Sequence, residues 1–242
     1  MNCFVHRNVP FPGFMNRVRC TDDVIYMDNL IIRPEARGLG IGRHVWNAVV
    51  EASRPGNIVL DGVQAMVPWY RKQGFTHSGM DVTTYSFRVT GSIKKPVQCG
   101  VSVIDLCDSH WPGVLTLDRT VYPTLDRERI LRAFMVGNDV RTVVADDGRD
   151  VVGIGSVHKK TEGLYGLRNV IATNEQVAEA IVRELLVGLP QESKVLFRVP
   201  VGKKPMELLG GAEQGSLNTR LHSDKTIEIC TDNLWMALCN IV

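Results

Sequence analysis

Leu30-Ile31-Ile32-Arg33-Pro34-Glu35-Ala36-Arg37-Gly38-Leu39-Gly40-Ile41-Gly42 changes its pattern twice within one short stretch. Residues Val24 to Ile32, which lead into it, are rich in β-branched and apolar types and stop at Pro34, the signature of a buried strand entering a turn. After Gly42 the period becomes helical, with Val45, Ala48, Val49 and Ala52 on one face and a stop before Pro55-Gly56. Strand, glycine turn and helix in that order make an anion site, because the N–H groups of the turn and of the helix N-terminus converge on one point. Gly40 and Gly42 let the backbone approach a pyrophosphate, and Arg37 and Arg43 can add charge-assisted hydrogen bonds. The spacing Arg-x-x-Gly-x-Gly is neither the Walker pattern Gly-x-x-x-x-Gly-Lys-Ser/Thr nor the dinucleotide pattern Gly-x-Gly-x-x-Gly, which disfavours ATP and NAD.

Outward from the turn, Ile58 to Leu60 reads as a short strand, Ala65 to Gln73 as a helix ending at Gly74-Phe75, and Val82 to Val89 as a closing strand. Gly91-Ser92 and Lys94-Lys95-Pro96 have no periodic apolar face and read as a linker. The expected organisation is a first domain over residues 1–90, a linker over 91–100 and a second domain over 101–242. In the second, Val101 to Leu106 is a strand and Arg127 to Val136 a helix with Ile130, Leu131 and Phe134 inward. Asp146-Asp147-Gly148 joins two strands, Arg141 to Ala145 and Val151 to Val157, as a hairpin, with a weaker strand over Tyr165 to Ala172. Val177, Ala178, Ile181, Val182, Leu185 and Leu186 mark an amphipathic helix, and Val195 to Val199 a last buried strand. The second half repeats the order strand, helix, strand without the glycines.

Composition narrows the function. In 242 residues, 28 Lys and Arg stand against 26 Asp and Glu, a net charge of +2 too small to argue for nucleic acid. No apolar run reaches the ~18–20 residues that span a bilayer, and the N-terminus lacks a signal-peptide pattern, so a cytoplasmic address is expected, with the nucleus left open. The 6 cysteines are scattered without a CxxC pair, so no metal site is expected.

The stretch Leu30 to Gly42 resembles the acetyl-CoA motif of the GNAT N-acetyltransferases. Trp69-Tyr70-Arg71-Lys72-Gln73-Gly74-Phe75 is similar to the later helix of that family, in which a Tyr stands four residues before a Gly-Phe pair. The two pieces occur in the family's order with a strand between them. The resemblance implies an α/β protein of two GNAT-like domains, each a mixed, mostly antiparallel sheet flanked by helices. It implies that main-chain groups of Leu30, Ile31 and Ile32 hold the pantetheine arm of acetyl-CoA, and that amides from Leu39, Gly40, Ile41, Gly42 and Arg43, with Arg37 and Gly38, hold the pyrophosphate. Tyr70 would protonate or hydrogen-bond the departing thiolate, and Asp28 would take the proton of an attacking amine, directly or through a water. The acceptor would be an amine-bearing small molecule or peptide.

Two departures stand out. Only about 23 residues precede Val24, with Pro10, Pro12 and Gly13 breaking part of them, so the acceptor side of the first domain reads as shortened. Val63 replaces the Asn that family members often carry seven residues before the Tyr. The second half resembles a degenerate partner domain: Asn169 to Glu175 lacks the glycine turn, Gly211-Ala212 stands for Gly-Phe, and Glu207 for the Tyr. The rival expectation is a non-catalytic acetyl-CoA-binding or interaction protein, favoured by the short N-terminus.

Overall fold

Two stretches far apart in sequence build the first of two compact units: the chain up to Gly79 and Thr219–Thr226. The second unit takes Met80–Asn218 and, among the described residues, 227–237. The computed structural model describes residues 11–89 and 100–237. All of the linker read over 91–100 except Gly100 lies outside these. The unit boundary differs from the contiguous division at residue 90 because a late strand returns to the first unit, a contact that local sequence patterns do not encode.

In the first unit, β1 (Gly13–Arg19) runs antiparallel to β2 (Val24–Ile32) through a tight turn in which the amides of Cys20 and Thr21 donate to the carbonyl of Val24. Part of the segment read as irregular is therefore a strand. Gly13 permits it, since a Cβ there would lie 2.6 Å from the carbonyl oxygen of Ile31. β2 leads through a 3-10 turn, Pro34–Ala36, into α1 (Ile41–Glu51), and the chain returns as β3 (Asn57–Val63), parallel to β2. A second 3-10 turn, Gln64–Met66, opens α2 (Val67–Lys72), and β4 (His77–Arg88) starts in this unit.

α1 buries only part of the face marked by Val45, Ala48, Val49 and Ala52: Val45 and Val49 are half-buried, Val49 against the core, Ala48 and Ala52 are exposed, and Trp46 is the buried residue of the helix, because the indole removes far more apolar area from water than two methyl groups can. Trp46 joins Met27, Ile58, Leu60, Phe75 and Leu221 in one core. The returning segment is stitched to β3: Ser223 N donates to the Ile58 carbonyl at 2.9 Å, and Asn57 Nδ2 to the Lys225 carbonyl at 2.7 Å. Buried Arg220 spans the Asp61 carboxylate with contacts of 2.8 and 3.2 Å.

The second unit contains β5 (Ser102–Asp105), α3 (Trp111–Arg119), α4 (Glu128–Met135), β6 (Val140–Asp146), β7 (Val151–Thr161), β8 (Leu164–Ala172), α5 (Glu175–Val187), β9 (Lys194–Pro200), β10 (Glu213–His222) and β11 (Leu234–Met236). The last residues of β10 belong to the first unit. β5 to β8 pair antiparallel in order, β8 and β9 pair parallel, and β9 pairs antiparallel with β4. α3 carries no pattern recognised in the sequence. In α4 Met135, not Phe134, is buried with Ile130 and Leu131. α5 lays Val177, Ala178, Ile181, Val182, Leu185 and Leu186 into the core, where each large side chain contributes about 1.5–3 kcal/mol. Gly153 makes room, because a Cβ there would meet Ile181 at 2.5 Å.

Candidate functional site

β2 and β3 pair over three residues only, Val24 with Asn57, Ile25 with Ile58 and Tyr26 with Val59. Beyond them β2 bulges. Its register with β1 shifts between the pairs Phe14–Ile31 and Asn16–Asp28, and Asn29 takes φ 53°, a left-handed conformation that Asn tolerates better than most residues. A bulge bends the strand that carries it. Leu30, Ile31 and Ile32 therefore continue outside the β2–β3 ladder, and the two strands flank a notch.

The notch leads to the turn. Gly38 and Gly40 both adopt positive φ, 78° and 76°, where an L-residue costs about 1–2 kcal/mol, and no atom lies within 4 Å of a Cβ built on either. Gly40 is the N-cap of α1 and brings no side chain to cap it, so the first amides of the helix are left for an outside acceptor. At Gly42 a Cβ would meet Ile32 Cγ1 at 3.4 Å, ordinary van der Waals contact, so the start of the helix packs directly on the strand there. Arg37 Nε donates to the Ile32 carbonyl at 3.1 Å and ties the turn to the strand, while Leu39, 72% exposed, and Arg43 face solvent.

Tyr70 stands on α2, half-buried, its ring 5.6 Å from that of Trp46 and 5.2 Å from that of Trp69. It lies over Gly62 of β3, where an added Cβ would come within 2.9 Å of the ring. Burial first, and the nearby Asp28 carboxylate second, push its hydroxyl above the ordinary value of 10.0. The phenol is therefore protonated at neutral pH, the state a proton donor needs. Asp28 itself accepts from Asn29 Nδ2 at 2.8 Å. The structure thus brings Tyr70 and Asp28 into electrostatic contact beside the notch. Sequence reasoning missed Asn29 and Gly62. An Asn inside an apolar strand was the available signal for the bulge, whereas nothing local marks Gly62. Among the described residues no group of three or more His, Cys, Asp or Glu side chains could hold a metal ion.

Residues 2–77 match the acetyltransferase (GNAT) domain, and residues 114–213 match a second family of the same description. The chain belongs to the GNAT acetyltransferases. It is 25% identical over 186 residues to the holothin acyltransferase of Pseudoalteromonas sp. (strain SANK 73390), covering 76% of this chain and 60% of that relative, so it spans less than two thirds of the relative's length. Its fold is shared with a Pyrococcus horikoshii protein assigned to the acetyltransferases, with a TM-score of 0.71 at 20% identity over 94% of this chain and 75% of the other. It is shared as well with a tandem GNAT protein from the clavulanic acid biosynthesis pathway, with a TM-score of 0.56 at 17% identity over 83% and 74%. The chain holds two GNAT domains, each a mixed, mostly antiparallel sheet flanked by helices.

The second GNAT domain repeats the device of the first. β8 and β9 pair only at Leu164–Lys194, Tyr165–Val195 and Gly166–Leu196. The register of β7 and β8 shifts between Ile154–Ile171 and Ser156–Arg168, and Asn169 takes φ 50°. Asp28, Asn29 and Ile31 thus have Arg168, Asn169 and Ile171 as counterparts. The fittings differ. Asn174 caps α5, its side chain accepting from Val177 N at 3.0 Å. Glu207 lies in a single 3-10 turn, Glu207–Leu209, at the place of the Tyr70 helix.

Proposed function

We propose that the first domain transfers an acetyl group from acetyl-CoA to an amine by direct attack. The observation that carries the reading is the splayed β2 running into two positive-φ glycines at an uncapped helix N-terminus. That arrangement offers main-chain groups to an extended amide arm and N–H groups to its pyrophosphate. The open space above Gly38 and Gly40 fits such a group. Acetyl-CoA supplies the activated thioester. Leu30 to Ile32 hold the arm, amides from Leu39 to Arg43 hold the phosphates, and Tyr70 delivers its proton to the departing sulfur. Asp28 removes a proton from the amine, directly or through one water, in a site where positioning supplies much of the acceleration. The acyltransferase named among the relatives supports acyl transfer as the reaction class.

The test is thiol release from acetyl-CoA against a panel of small amines and peptide N-termini, using the full chain. Turnover on any acceptor is the expected result. Tight binding of acetyl-CoA with no turnover across the panel would turn the reading to a binding protein.

A further inference from the structure

The two notches share one backbone design, and in the second domain the place between the splayed strands is taken. β11 runs antiparallel to β8 beyond the bulge, with Leu234 opposite Ile171 and Met236 opposite Val170. Its main chain bonds to both flanking strands: Ala172 N donates to the Asn233 carbonyl at 2.9 Å, and Ala237 N to the Arg198 carbonyl of β9 at 3.0 Å. The Trp235 indole donates to the Ala172 carbonyl at 3.1 Å. Leu234, Met236 and Ala237 are all 2% exposed or less. Lys203 closes the arrangement, its ammonium bonded to the Asp232 carbonyl at 2.5 Å and held 4.1 Å from the Trp235 ring.

The far side of the bulge is filled too. Asn169, fully buried, accepts from Arg127 Nη2 at 3.3 Å, and Arg127 lies 3.3 Å from the Asp118 carboxylate and 3.6 Å from the centre of the Tyr122 ring. Its counterpart Asn29 is exposed.

We infer that residues 232–237 are a built-in occupant of the second domain's notch: an extended peptide bound by strand addition where the first domain would take an amide-bearing pantetheine arm. This rests on the reading of the first notch as the pantetheine site. The chemistry is matched, since a peptide strand and a pantetheine arm both offer amide N–H and C=O groups to a splayed strand edge. The second domain is thus a strand-binding module saturated by its own chain, with its notch shut to any other extended ligand.

The experiment compares the full chain with a chain ending at Thr231, using a fluorescent synthetic peptide of residues 232–242 and acetyl-CoA as probes. The truncated chain is expected to bind the peptide at least tenfold more tightly than the full chain does, and a peptide carrying Leu234→Asp is expected not to bind. Acetyl-CoA should bind once per chain in both. Equal peptide binding to both chains, or binding to neither, would overturn the inference. Should the truncated chain not fold, hydrogen exchange at the Ala172 amide in the full chain carrying Trp235→Ala decides: faster exchange than wild type supports the occupant, and unchanged exchange sinks it. Loss of acetyl-CoA binding by the intact chain would instead count against the first-domain reading and leave the peptide result standing.

Discussion

At Gly40 one hydrogen atom in place of a side chain does two jobs: it admits a φ of 76° and leaves the N-terminus of α1 open. Gly40→Asp is expected to weaken acetyl-CoA binding roughly 10- to 100-fold by calorimetry, through backbone strain and a negative charge facing the phosphates. Gly40→Ala, with strain alone, should fall between. Equal affinities for all three would take the turn out of the site. Tyr70 makes the second residue-scale claim. Tyr70→Phe should lower kcat by about 100-fold with little change in KM if, as proposed above, the hydroxyl acts on the leaving group. Because burial and Asp28 raise its pKa, the acid form persists through neutrality, and any alkaline limb that Tyr70 imposes on kcat lies above pH 10.0. A variant with unchanged kcat would return Tyr70 to the aromatic packing around Trp46. The positions of both residues, at the start of α1 and on α2, were legible in the sequence, because a glycine before a helix and a Tyr four residues before Gly-Phe are local patterns. Asn29 was not singled out, although Asp28-Asn29-Leu30-Ile31 and Arg168-Asn169-Val170-Ile171 place the same residue at the same point of two strands.

Among the elements, α3 and α4 show what periodicity conceals. The largest fully buried side chain of their junction is an arginine, Arg127, which a hydropathy pattern assigns to solvent. Its partner Asp118 lies 3.3 Å away without a well-formed hydrogen bond, and burial raises the Asp118 carboxyl above its usual range against the pull of Arg127. Removing one partner of a buried pair leaves the other charge stranded. Asp118→Ala is therefore expected to cost about 3–5 kcal/mol in denaturant unfolding of the second domain. Asp105→Ala, which breaks a pair with a carboxylate 71% exposed, should cost no more than about 1 kcal/mol. Similar costs for the two would mean that the Arg127 cluster is not under strong desolvation. α5, by contrast, was readable almost residue by residue, because six apolar positions on one face determine how it packs.

For the whole molecule, acid should act on the first domain through His222. The ring is fully buried, and burial first, then the neighbouring Arg220 charge, lower its pKa to about 4 from 6.5. Below pH 6.5 the unfolded chain takes up a proton that the folded one refuses until about pH 4, so stability falls as pH drops through that window, by roughly 2–3 kcal/mol in total. Thermal unfolding of wild type and His222→Gln between pH 7 and 4 checks this: the variant should lose less stability over the window, and parallel slopes would refute it. That His222 serves the first domain was invisible in the sequence, since its neighbours in space, His77 and Gly79, lie far back along the chain. The same separation governs how the protein is made. Asp61 finds Arg220, and Asn57 finds Lys225, only after 159 and 168 further positions have been synthesised, so the domain written first stays open while most of the second is made. During synthesis its β3 edge waits unpaired, a substrate for chaperones or for a neighbouring nascent chain, and stop codons anywhere before residue 219 abolish both domains' completion at one stroke.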